Sequence, residues 1–208
     1  LISLTHLSRF QCIDINLLRQ HIREKRTALG PTRQAMASSA LEKNLRSLQL
    51  MKGARHIALY LANDGEIDPG GFMHWAFTQA KHCYLPVLHE LNDRPMKFAE
   101  ITPKSRFKPN RFGIPEPMVD DRELLEANQL DLILLPLVAF DLEGNRIGMG
   151  GGFYDRTLAF TRNHPYDQRP KLIGLAHAFQ YHRGITPSPW DIPLDGIATD
   201  ERAVTFPD

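Results

Sequence analysis

The segment DLILLPLVAFDLEGNRIGMGGGFYD, from Asp131 to Asp155, constrains the fold more than any other part of the chain. Its run Leu132–Val138 is apolar without alternation. A strand apolar on both sides must be covered on both sides, the pattern of a parallel sheet held between helical layers. Phe140, Asp141 and Gly144 then lead into a loop with glycine at 148, 150, 151 and 152, and FYDRTLAF after it reads as a helix start. A strand, a glycine loop and a helix N-terminus in that order form a place where bare backbone N–H groups can face an anion. Arg146 supplies a cation beside the loop, and Asp155 a carboxylate able to hold a metal ion. Together they point to nucleotide phosphate chemistry.

The rest of the chain alternates helix and strand in the same way. Asp14 is a candidate N-cap for a helix from Ile15, with Ile15, Leu18, Ile22 and Leu29 on one face. Gly30-Pro31 separates it from a second helix reaching about Leu50, with Met36, Ala40, Leu41, Leu45 and Leu48 inward and Gly53 as its end. His56–Ala62 reads as a buried strand, Asn63–Gly71 as a loop, Phe72–Lys81 as a helix, and Cys83–Leu88 and Met96–Ile101 as strands. Residues 102–120 hold four prolines and read as an extended loop, and Glu123–Asn128 as a short helix. After the glycine loop come a helix from Phe153 to about Arg162, a strand over Lys171–Ala178, and a last short strand at Ile197–Thr199. This order predicts an α/β fold, three layers in α/β/α arrangement around a mostly parallel, Rossmann-like sheet. One domain over residues 1–208 is expected, with 1–13 a loosely ordered lead-in. Ligands in such sheets bind outside the carboxyl ends of the strands. The loops after Leu61, Val138 and Ala178 then share one rim, where Glu66, the glycine loop, His177 and Gln180 converge.

Composition narrows the function classes. Apolar residues make up 42% of the 208, enough for a sizeable core, and a net charge of +1 gives no global reason to bind nucleic acid or membrane. Seven Lys/Arg against three Asp/Glu between Asp14 and Arg46 read as a solvated helix face, from which one or two cations could meet phosphate. Cys12 and Cys83 make no CxxC pair and no disulfide framework, as in a reducing compartment, and Cys83 reads as a small buried apolar residue. LISLTHLSRFQCI has no signal-peptide pattern and no stretch is long enough to span a membrane, so the cytoplasm is the expected location. No partner other than small molecules is called for, and a monomer is the expected state. None of the nine histidines has HExxH-type spacing, and His177 reads as a satisfied structural histidine.

The glycine loop matches neither common phosphate motif. No GK[ST] follows it, so it is not a Walker A loop, and residues 153 and 155, where a GxGxxG reading needs glycine, are Phe and Asp. On glycine count alone, a tight turn that merely uses positive φ explains it as well as a phosphate cradle does. Arg146 and Asp155 on its flanks favour the cradle.

The sequence NRIGMGGGFYDRTL, preceded by LPLVAFDLEG, resembles the signature of the 5-formyltetrahydrofolate cyclo-ligase family in its bacterial branch. The likeness runs through nearly the whole chain: LLRQHIREKRTAL, LYLANDGEID, YLPVLH, IPEP, GLAHAFQ and WDIPLDGIATD follow in the family's order. It implies an ATP-dependent ring closure in which ATP phosphorylates the formyl oxygen, folate N10 attacks the activated carbon, and 5,10-methenyltetrahydrofolate forms with release of ADP and phosphate. Carried over residue by residue, ATP would be bound by Arg19, Arg146, Ile147, Gly148, Met149, Gly150, Gly151, Gly152, Phe153 and Tyr154. The folate would meet Leu61, Glu66, Met149, Gly150, Gly151, Gly152 and Phe153. Arg146, Gly150 and Tyr154 would act in catalysis, and Asp155 and Asp195 would hold Mg²⁺, although Asp195 reads equally well as a turn residue after Pro193. The chain departs from the family at Ile15, where a lysine four residues before Arg19 is usual, and at Phe153, where tyrosine is commoner. The first departure leaves open a compensating role for Arg23, and is what supports the alternative of a nucleotide- or folate-binding protein without turnover.

Overall fold

In the computed structural model, which describes residues 14–88 and 94–207, two helices lead into an alternating α/β chain. The elements in order are α1 (Ile15–Thr27), α2 (Gly30–Ser47), β1 (His56–Ala58), α3 (Gly70–Thr78), β2 (His82–Val87), β3 (Lys97–Ile101), β4 (Phe107–Pro109) and β5 (Pro115–Pro117). They continue with β6 (Leu132–Pro136), β7 (Ala139–Phe140), β8 (Arg146–Ile147), α4 (Phe153–Leu158), β9 (Lys171–Leu175), β10 (Gly196–Ala198) and β11 (Ala203–Thr205). The lead-in 1–13, with Cys12, lies outside the described residues.

Seven strands form one sheet in the order β11-β10-β9-β6-β1-β2-β3. The five inner strands are parallel, and β3 and β11 run antiparallel at the two edges. β6 sits at the centre because its side chains are apolar in both directions. Leu132 and Leu134 join the core under α2 and α3, while Ile133 and Leu135 join the one that contains Leu158 of α4. All four are fully buried, so the two-sided run becomes a two-sided core. The expected α/β layering is what forms. The second helical layer is thin, built from α4, short 3₁₀ turns and the β7–β8 hairpin. No described helix is long and apolar enough to cross a membrane.

Local signals account for the element ends. Asp14 caps α1, its carboxylate accepting from the N–H groups of Asn16 and Leu17. Gly30 opens α2 at φ +72 with Pro31 just inside the helix. Several expectations need correction. Met36 is exposed at 69%, and Ala37 takes the inward position beside Leu41 and Leu45. The proline-rich stretch 102–120 is not only loop, because β4 and β5 pair as a small antiparallel hairpin at a place where prolines need no inner-sheet partner. The helix at 123–128 is two 3₁₀ turns, and the hairpin β7–β8 and strand β11 had no visible alternation to announce them. Cys83 is fully buried on β2, as expected, and burial pushes its thiol up to about 12.

Candidate active site

The carboxyl ends of β1, β6 and β9 point to one rim, and the loops that leave them meet there. Gln180 braces this rim from inside: its Nε2 donates to the carbonyls of Leu137 and Val138 at 2.9 Å, and its Oε1 accepts from His177 N. His177 is buried, stacks on Phe179, and donates from Nε2 to the Gly65 carbonyl at 3.3 Å. Burial lowers its pKa, so the imidazole stays neutral at pH 7, which suits a structural histidine. The loop after β1 and the loop after β6 are thus held side by side.

The glycine loop begins where the β7–β8 hairpin ends. Asp141, fully buried, shapes that hairpin by accepting from the amides of Glu143, Asn145 and Ile185 and from the Asn145 side chain. Beyond Ile147 the chain lies at the surface. Among the described residues, no acceptor meets the amides of Gly148, Met149, Gly150, Gly151 or Gly152. Gly150 holds φ +97 and Gly152 φ +63, conformations in which an L side chain is strained. Arg19 reaches this loop from α1, its Nε donating to the Gly148 carbonyl at 2.9 Å, and its guanidinium lies 3.5 Å from where a Cβ on Gly150 would stand. A cleft of about 400 Å³ opens between α1 and the two loops, lined by Asn16, Arg19, Arg23, Asp64 and Met149 among others. Phe153 starts α4, with the exposed Phe112 of the β4–β5 hairpin edge-on to it at 6.2 Å. Arg156 stacks over the Phe153 ring and donates to the Gly151 carbonyl at 2.8 Å.

Glu66, two residues beyond Asp64 in the loop after β1, is half-buried, and Leu61 of the same loop is partly buried against the core under α2 and α3. Burial raises the Glu66 pKa, and the hydrogen bond it accepts from Asn63 N and the nearby Arg26 charge pull it back down. Tyr154 feels Glu66 and Arg146 at once; burial first, and Glu66 second, raise its pKa, so the phenol is protonated at neutral pH.

Two expected residues, Arg146 and Asp195, are bonded within the fold. Arg146 is only 8% exposed; its Nη1 donates to the Ile192 carbonyl and its Nη2 to Asp155 Oδ1 at 2.6 Å. It fixes the Asp155 carboxylate, which also accepts from Ile192 N. Asp195 is buried at the edge where β9 and β10 enter the sheet. Both of its oxygens are taken by Arg169, at 2.7 and 2.9 Å, and Oδ2 also accepts from Leu172 N. The strand register puts it at the start of β10, beside Leu172 at the start of β9. Its structural partner is a cation from a distant loop, which no local pattern announces. No group of three or more His, Cys, Asp or Glu among the described residues could hold a metal ion. Ile15 is 42% exposed, and Arg23, the suggested substitute for the missing lysine, is paired with Asp64 at 2.5 Å.

The family model for 5-formyltetrahydrofolate cyclo-ligases matches residues 14–200, which include every element above except β11. The chain belongs to the 5-formyltetrahydrofolate cyclo-ligase family. A 5-formyltetrahydrofolate cyclo-ligase of Haemophilus influenzae is 38% identical over 180 residues, 86% of this chain and 94% of that one. A cyclo-ligase of Escherichia coli K12 is 36% identical over 181 residues, 87% and 97% of the two chains. Among solved structures, the 5,10-methenyltetrahydrofolate synthetase of Aquifex aeolicus superposes with a TM-score of 0.78 at 29% identity and covers 94% of each chain. The synthetase from Mycoplasma pneumoniae gives 0.69 at 26% identity, covering 90% of this chain and 99% of its own.

Proposed function

We propose that this cyclo-ligase closes the ring of 5-formyltetrahydrofolate at the rim cleft, with ATP as co-substrate, to give 5,10-methenyltetrahydrofolate, ADP and phosphate. The observation that carries this reading is the exposed run of amides from Gly148 to Gly152, without acceptors among the described residues and with the Arg19 guanidinium beside Gly150. Free amides and one guanidinium suit a triphosphate tail, because its oxygens need many donors at close range.

The chemistry needs an oxygen made into a better leaving group. The formyl oxygen attacks the terminal phosphorus of ATP and ADP departs. Folate N10 then bonds to the formyl carbon, the carbon–oxygen bond breaks, phosphate leaves, and N10 gives up its proton. Charge shifts among phosphoryl oxygens in the first step and onto the departing phosphate in the second, so donors fixed in advance lower both barriers. Gly150 and its neighbours supply amides; a side chain at Gly150 would stand against Arg19. Tyr154 contributes a protonated phenol near Glu66. Glu66 would accept hydrogen bonds from pterin N–H groups, with Leu61, Met149 and Phe153 giving apolar contact to the rings.

The donor set also suits one Mg²⁺ ion. Asp155 Oδ1 is held by Arg146 and Ile192, and its other oxygen has no partner among the described residues. Magnesium is commonly bound through one or two carboxylates completed by substrate phosphates. Bound there, it would neutralise charge on the transferred phosphoryl group. Asp195, with both oxygens on Arg169, does not suit the role.

The test is product absorbance. Purified protein given 5-formyltetrahydrofolate, ATP and Mg²⁺ should accumulate methenyltetrahydrofolate, and leaving out ATP should stop it. A folded, pure sample that binds both compounds yet makes no product at any magnesium concentration would instead identify a binding protein without turnover.

A further inference from the structure

Arg26, on α1, is the largest side chain buried completely among the described residues, at 1% exposure. Its Nη2 donates to Asp64 Oδ2 at 3.2 Å, while Nε and Nη1 are buried and donate to nothing among the described residues. A guanidinium kept dry with two donors unpaired costs stability, and an apolar residue could fill the same volume. Its place therefore calls for a reason beyond packing.

The residues around it give one. The turn from Asn63 to Glu66 is wrapped against Arg26. Gly65, at φ +70, lies so close that a Cβ there would stand 2.8 to 3.0 Å from the carbonyl carbon, oxygen and Cβ of Arg26. Gln34 ties the two together, its Nε2 donating to the Arg26 carbonyl at 3.2 Å and the Gly65 carbonyl at 3.0 Å. His177 donates to the same Gly65 carbonyl. Asp64 holds φ +51, an uncommon conformation for a residue with a side chain, and Arg23 and Arg26 converge on one of its oxygens. The turn then closes on itself: Glu66 N donates to the Asn63 carbonyl at 3.0 Å, and Asn63 N donates to Glu66 Oε2 at 3.1 Å. Where Glu66 stands thus follows from where Asp64 and Gly65 are clamped.

We propose that Arg26 is a positioning residue for folate recognition: by holding Asp64 from a buried guanidinium it fixes the turn that presents the Glu66 carboxylate to the substrate. The proposal rests on the reading of Glu66 as a folate contact. The Arg26 charge also faces Glu66 itself, together with Asp64 from the same turn; Tyr60 of the strand exit and Tyr154 of α4 are the other titratable groups there. Arg19, on the same helix but bonded to the glycine loop, provides an internal control. Loosening α1 as a whole would weaken ATP and folate together, whereas loss of the Arg26 clamp weakens folate alone.

The experiment is steady-state kinetics of the full chain with 5-formyltetrahydrofolate and ATP varied in turn, for Glu66→Gln, Arg26→Met, Arg26→Lys and Asp64→Asn. Glu66→Gln should raise the folate KM. Arg26→Met should raise the folate KM about tenfold or more, the range for losing a charged hydrogen bond, and leave the ATP KM within about twofold. Arg26→Lys should recover part of the loss. Asp64→Asn, a change at a partly exposed position, should reproduce the effect and add little in the Arg26→Met background. If Arg26→Met fails to fold, Asp64→Asn decides. A raised folate KM in Glu66→Gln with none in Arg26→Met and Asp64→Asn overturns the proposal alone, as do equal rises in both KM values. An unaltered folate KM in Glu66→Gln overturns the reading of Glu66, and the proposal with it.

Discussion

Replacing Asp155 should cost both stability and turnover, and the two costs can be separated. The side chain of Arg146 is 5% exposed and that of Asp155 26%, with 2.6 Å between their bonded atoms. Removing one partner of such a pair strands the other charge, typically at about 3–5 kcal/mol when both are dry. Arg146 keeps its bond to the Ile192 carbonyl and Asp155 is partly wet, so Asp155→Ala should cost about 2–3 kcal/mol. For a chain of this size that corresponds to a fall in Tm of roughly 5–10 °C. Asp155→Asn keeps an acceptor for Arg146 and loses only the charge, so about 1–2 kcal/mol is expected. Both variants should lose about 10²–10³ in kcat, the cost of removing one fixed electrostatic element at a transition state. Differential scanning calorimetry and the product assay, run on the same preparations, read the two effects. If Asp155→Asn keeps full kcat, Asp155 has no part in phosphoryl transfer; if Asp155→Ala melts with the parent, the pair with Arg146 is not a structural strut.

Three further outcomes are expected. Because burial raises the Glu66 pKa, the native state holds a proton more tightly than the unfolded chain; this favours folding at low pH and is lost as pH rises through the folded pKa. Glu66→Gln should therefore raise Tm at pH 7 and flatten its dependence on pH between the ordinary carboxylate range and the raised folded pKa, and a lowered Tm at pH 7 would contradict the sign. Gly150→Ala forces φ +97 on an alanine, at about 1–3 kcal/mol, and sets a methyl group against Arg19; the ATP KM should rise, measured at saturating folate, and an unchanged ATP KM would refute the reading. In a Cys12→Ser background, Cys83 should resist thiol-specific reagents at pH 8 until denaturant is added, since its thiol is buried and pushed up to about 12; rapid labelling of folded protein would refute this.

The sequence made much of the framework readable, for identifiable reasons. Leu132–Val138 carries no polar residue, so its central place between two layers followed from composition alone. Asp14 and Gly30-Pro31 are local devices, and local devices survive folding unchanged. The rim was legible because parallel strands send their exits one way. What depended on long-range pairing was not. Arg26 looks like part of a basic helix face until Gly65 is folded onto it, and Asp195 looks free until Arg169 arrives from another loop. Arg146 sits beside the glycines in sequence, which suggested phosphate, but the hairpin turns its side chain inward to Asp155 and Ile192. Phe112 carried no signal, because only the β4–β5 hairpin brings its ring to Phe153.

The first helix touches both walls of the cleft, through Arg19 on one side and Arg23 with Arg26 on the other. A rigid rod bonded at two places cannot shift under one visitor without being felt by the other. Thermodynamic reciprocity then fixes the terms: whatever factor the nucleotide lends to the grip on folate, folate must return in equal measure to the grip on nucleotide.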